Sequence, residues 1–147
     1  MRILLQTLGT AFFALVLTVA AYAGDGAHKL ALQISDNDPQ KMNTVLNVAA
    51  NVSRYYSEKG EEIDIKVVAF NAGLHMLRAD TSPVIERMNS FAQSMTNVEF
   101  HACENTRENM AKKEGKDIPL LDMAQVVPAG AVDLMELDTA GYTILRP

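Results

Sequence analysis

Apolar and polar positions along this chain follow two periods in turn. "KLALQIS" (Lys29–Ser35) alternates, the spacing of a strand whose successive side chains point to opposite faces. "DNDP" breaks it. From Pro39 to Lys59 the apolar residues Met42, Val45, Leu46, Val48, Ala49 and Val52 recur at helical spacing. Asp38 suits the cap before that helix, Pro39 its first turn and Gly60 its stop. "IDIKVVAF" (Ile63–Phe70) is a second strand, ending in the continuous apolar run expected when both faces are covered.

The alternation of periods continues. Asn71 to Gly73 is a turn, followed by a short helical piece around Leu74–Leu77. Ser82 and Pro83 open a helix over Val84–Met95, with Val84, Ile85, Met88, Phe91 and Met95 on one face. "VEFHA" (Val98–Ala102) is a third strand and "NTRENMAKKEG" (Asn105–Gly115) a third long helix. "AQVV" (Ala124–Val127) is a fourth strand. A helix starting at Pro128 carries Val132, Leu134, Met135 and Leu137 and stops at Gly141, before a last strand, Tyr142–Arg146. Strands alternating with helices of this size imply right-handed crossovers and a parallel sheet. The expected fold is a single three-layer α/β domain over residues 24–147, with five mainly parallel strands in a flavodoxin-like order.

Residues 1–23 stand apart from this pattern. Arg2 and the amino terminus precede a long apolar run that ends in Ala21-Tyr22-Ala23, the layout of an export signal with cleavage after Ala23. The run is long enough to span a bilayer, but polar Gln6, Thr7 and Thr10 interrupt it. The expected location is the periplasm or the exterior. Arg2 is the leader's one charged side chain, so the mature chain holds 12 basic against 18 acidic residues, a net charge of −6. That balance argues against nucleic acid and anionic membrane as partners.

The chemistry then narrows to the ends of the strands. In an open parallel sheet, ligands sit at the carboxyl edge, near the topological switch point. The residues there are Asp36, Asn37 and Asp38 after the first strand, Asn71, Gly73 and His75 after the second, and Cys103 and Asn105 after the third. In a flavodoxin-like order the Asp36–Asp38 loop faces the Cys103 loop. No G-x-G-x-x-G or G-x-x-x-x-G-K-[ST] motif is present, and two acidic residues in the first loop would repel a phosphate. No nucleotide, flavin or other cofactor is expected. No strong metal-ligand spacing links His75, His101 and Cys103, and no metal is expected. Asp36 and Asp38 read as turn and cap residues before they read as an acid–base pair. The eight methionines are dispersed, as core filler is.

Cys103 is the chain's single cysteine, so it forms no internal disulfide. "NTRE" reads as a capping box, with Asn105 as cap and Glu108 reaching back. Cys103 then lies just before a helix start, where the partial positive charge favours a thiolate, while Glu104 opposes it. A free cysteine is also among the most buried residue types, so an inert, packed thiol stands beside the reactive one. On the third strand Glu99, His101 and Cys103 share one side. A central parallel strand with one polar side suggests a thinly covered sheet face, or one that meets another subunit.

Three segments carry a resemblance. "FHACENT" resembles the strand ending in Ala-Cys, then Asn-Thr, of the DsrE/DsrF-like family of small sulfur-relay proteins. "VVAFNAGLHMLRAD" is similar to that family's second strand and Gly-Leu loop, and "VVPAGAVDLMELDTAGYTILRP" to its closing segment. The likeness runs from Lys29 to Pro147. It implies a trimer or hexamer, and makes Cys103 a sulfur carrier that holds sulfane sulfur as a persulfide between a donor and an acceptor thiol, both unidentified. The alternative is a non-enzymatic oligomeric binding module in which Cys103 packs. Exposure of the thiol separates the two, because a buried sulfur away from any pocket argues against the first.

Overall fold

The computed structural model describes residues 27–147; the leader and its expected cleavage after Ala23 lie outside the described residues. Five strands, β1 (His28–Ile34), β2 (Ile63–Ala69), β3 (Val98–Cys103), β4 (Ala124–Val127) and β5 (Thr143–Leu145), form one sheet. Every pairing in it is parallel. The helices are α1 (Pro39–Glu58), α2 (Ile85–Ser94), α3 (Glu104–Glu114) and α4 (Gly130–Thr139), with a short 3-10 helix over Asn71–Leu77.

The three-layer α/β class is as the sequence predicts, but the order within the sheet is β4-β3-β2-β1-β5. β2 therefore separates β1 from β3, and the loop of Asp36–Asp38 does not face that of Cys103. Each crossover from β1 to β4 steps one place in the same direction, so right-handedness keeps its helices on one face. The connection from β4 to β5 reverses across the sheet and puts α4 alone on the other face.

The two faces are unequally buried. On the front, α1, α2 and the 3-10 helix pack Met42, Val45, Leu46, Leu74, Met76, Leu77, Met88 and Phe91 against Leu32, Ile65, Val67 and Phe100 of the sheet. On the back, the buried apolar set is Ala31, Val68, Leu137 and Tyr142. The half-polar side of β3 belongs to this back face. A sheet face under one ten-residue helix leaves its lower half in contact with water, and Lys29, Asp64, Lys66 and Glu99 fill it.

Local signals explain most boundaries. Asp38 caps α1: its Oδ1 accepts from the Gln40 and Lys41 N–H groups at 2.8 and 3.4 Å. Gly115, in the left-handed region at φ 64°, stops α3. α4 starts at Gly130 rather than Pro128, with Ala129 as its cap. The Pro128 carbonyl is taken by the Asn105 N–H at 3.3 Å rather than by the helix, and Gly130 lies against the Phe70 ring, where an added Cβ would stand 3.0 Å from Phe70 Cβ.

Candidate functional site

Cys103 is the last residue of β3 and itself the cap position of α3. The expected capping box does not form. Glu104 is already helical, Asn105 lies inside the first turn, and no side chain caps the helix start. The Asn105 N–H instead donates to the Pro128 carbonyl at 3.3 Å, which ties α3 to the turn after β4. Cys103 pairs in register with Val127.

Two sequence-predicted rim residues join Cys103 at this edge. Asn71, exposed at the end of β2, takes φ 49°, and its N–H donates to Thr106 Oγ1 of α3 at 3.0 Å. Asn105 is exposed beside it. Thr106 was not singled out from the sequence; its place directly after Asn105 in "ENT" was the available signal. Gly73 is buried beneath the rim, where its N–H donates to the Phe70 carbonyl at 3.0 Å.

The other predicted residues lie elsewhere. Asp36 pairs with Lys41 Nζ at 2.7 Å and stands 3.8 Å from Arg146. The hydrogen bond from Lys41 holds its carboxyl below the usual range. Asn37 is exposed next to it. Both sit beyond β1, two strands from β3 and so roughly 10 Å across the sheet. His75 belongs to the front layer, with Nδ1 2.8 Å from Thr81 Oγ1. His75, His101 and Cys103 do not converge, and among the described residues no group of three His, Cys, Asp or Glu side chains is arranged to hold a metal ion.

Cys103 itself is buried, with 5% of its surface exposed. Two clefts, of about 680 and 800 Å³, lie away from it. They lie toward the amino ends of the strands. Ser53, Arg54, Asp64, Asn97 and Glu99 line one, and Lys29, Tyr56, Ala140 and Thr143 the other.

His101 has a defined role on the back face. Its Nδ1 lies 2.7 Å from Asp133 Oδ2 on α4, and its Nε2 lies 3.6 Å from Glu99 Oε2. A polar row continues from there across the sheet. Lys66 Nζ reaches Glu99 at 2.8 Å and Asp64 at 3.0 Å, and the Tyr142 hydroxyl donates to Asp64. Burial pulls the Lys66 ammonium down, but the hydrogen bonds to Glu99 and Asp64 outweigh it and raise its pKa. The same bond from Lys66 holds Glu99 low. Burial first, then the bond to Asp64, pushes the Tyr142 hydroxyl up to about 12.

A second cluster escaped the sequence reading. Arg78 is 1% exposed and forks onto two carboxylates, Asp80 at 2.9 and 2.8 Å and Glu114 of α3. Lys116 adds a contact to Asp80 at 2.9 Å. This cluster fastens the 3-10 segment to the end of α3. "RAD" amid apolar Leu74, Met76 and Leu77 was its only trace in the sequence.

No family model matches this chain. No curated protein matches it. It is similar to a solved structure from Methanobacterium thermoautotrophicum, MTH1491, titled a protein of unknown function, at 27% identity and a TM-score of 0.61. The match covers 82% of this chain and 99% of that one.

Proposed function

We propose that this protein is a non-enzymatic homo-oligomeric binding module of the sulfur-relay type of fold, in which Cys103 packs rather than reacts. The observation that carries this reading is the burial of the thiol, 5% exposed and outside both of these clefts. A nucleophile that meets donor and acceptor in turn needs open approach to its sulfur. The oligomeric part draws support from the back face, which one helix covers, and from exposed Val132 and Met135 on the outer side of that helix. Self-association is tested by sedimentation of the purified protein at micromolar concentration. Trimers or hexamers, unchanged by Cys103→Ser, are expected; a monomer throughout overturns the reading.

A second reading keeps the sulfur carrier. It is favoured by the place of Cys103, at the carboxyl end of β3 and at a helix start that no side chain caps. In that chemistry the Cys103 thiolate attacks the outer sulfur of a persulfide or polysulfide. The donor's S–S bond breaks, its remaining sulfur leaves as a thiolate, and Cys103 holds a persulfide. An acceptor thiolate then takes the outer sulfur and frees Cys103. Intact masses after incubation with sulfane-sulfur donors decide between the two. Added sulfur on the wild type and none on Cys103→Ser selects the carrier.

A further inference from the structure

The back of the sheet holds a helix that is weakly anchored in apolar terms, held at its far end by Lys29 on the Ala140 carbonyl at 2.9 Å and pinned in its first turn by one polar contact. Leu137 and Gly130 are the buried residues of α4. Its outer side, with Val132 50% and Met135 70% exposed, gains no anchorage from any other element among the described residues. Against this stands the contact between His101 Nδ1 and Asp133 Oδ2 at 2.7 Å, with side chains only 11% and 13% exposed. Asp133 lies in the first turn of α4, the end nearest Cys103.

That end of α4 lies over the strand edge where Cys103 sits. Ala102 and Phe100 belong to the front core, so by strand alternation Cys103 points to the back, as His101 does. Val127 pairs with Cys103, the Pro128 carbonyl accepts from Asn105, and Gly130 rests on Phe70. The chain thus passes from β4 into α4 across the sulfur's side of the sheet. We propose that α4 and the turn leading into it form a cover over the Cys103 thiol, and that the His101–Asp133 contact is the pin that holds it shut. Elements with little apolar burial open locally at lower cost than the core, so removal of the pin exposes the thiol without unfolding the sheet. The inference goes beyond both readings of Cys103, because it concerns access to the sulfur and not its chemistry.

The test compares the rate of Cys103 alkylation by excess thiol reagent with amide hydrogen exchange and denaturant unfolding of the same protein. Asp133→Ala is expected to alkylate about tenfold faster or more, the scale of losing a hydrogen bond to a charged group. α4 amides should lose protection while β1 and β2 amides keep theirs. Glu136→Ala, on the exposed side of the same helix, should match the wild type in all three. Should Asp133→Ala fold poorly, Asp133→Asn keeps an acceptor without the charge and should fall between. The proposal is overturned if α4 amides exchange faster while alkylation stays at the wild-type rate. It is equally overturned if alkylation in the variants follows global stability alone, or if the wild-type thiol already reacts as fast as in the unfolded chain.

Discussion

Gly73 packs against the end of β1 so closely that a Cβ on it would overlap the Ile34 carbonyl and stand 2.8 Å from Ser35 Cα. The obstacle is backbone on both counts, so no rotamer change relieves it. The contact seats the 3-10 helix on the sheet edge, and Phe70 N–H to Ile34 carbonyl at 3.2 Å fixes the same junction. Gly73→Ala should therefore cost about 3 kcal/mol, the upper range for overpacking. Denaturant unfolding measures it. A loss under about 1 kcal/mol, the scale of an ordinary helix substitution, would show that the junction yields.

Arg78 offers a different kind of dependence. Its buried guanidinium holds the Asp80 and Glu114 carboxyls below the usual carboxylate range, chiefly through hydrogen bonds. Such groups stabilise the fold fully above their unfolded values, near pH 4, and lose that contribution as pH falls through their lower folded values. Wild-type stability should fall progressively below about pH 4. Arg78→Met should flatten that acid limb and lower stability at neutral pH by about 2 kcal/mol. This is less than for a wholly buried pair, because both carboxylates retain contact with water. Thermal unfolding across the acid range reads both effects; parallel curves for the two proteins would contradict the assignment.

Tyr142 gives the opposite sign. Its pKa, raised to about 12 from an ordinary value near 10, contributes stability that is complete below pH 10 and lost as pH rises through 12. Tyr142→Phe keeps the ring in the back core and removes the bond to Asp64, at a cost of about 1 kcal/mol near neutrality. Its stability should then decline less between pH 10 and 12. Ultraviolet titration provides an independent check, since the variant should lack the phenol that ionises near pH 12.

The contrast between these residues shows what periodicity reports. All five strands and the cap at Asp38 were legible, because burial on a pleated or helical face imposes its period directly on the sequence. So was the polar side of β3, which anticipated a thinly covered face. Strand order was not, because it depends on where each crossover lands, and the β4 to β5 connection reads like any other. The capping box failed for a tertiary reason. The bond from Asn105 to Pro128 and the Cys103–Val127 pairing start α3 a residue early. The Arg78–Glu114 and His101–Asp133 contacts are not legible in the sequence because the partners lie 36 and 32 residues apart.

Asn71 tests the strand edge itself. It holds a left-handed backbone, φ 49°, that asparagine tolerates and alanine resists, and its N–H reaches Thr106 Oγ1 at 3.0 Å. Two separable terms follow. Asn71→Ala should cost about 1 kcal/mol from the backbone conformation, while Asn71→Gly should stay within about 0.5 kcal/mol of the wild type. Thr106→Val deletes the acceptor at nearly constant shape and should cost about 0.5–1 kcal/mol, since the exposed N–H can turn to water. Because the bond uses the Asn71 backbone and not its side chain, Thr106→Val and Asn71→Gly should be nearly additive. Equal stability of Asn71→Ala and Asn71→Gly in denaturant unfolding would mean that the turn does not hold this conformation in solution. The bond from the end of β2 to α3 would then be absent, and α3 would be held at this edge by the bond from Asn105 to Pro128 in the turn after β4.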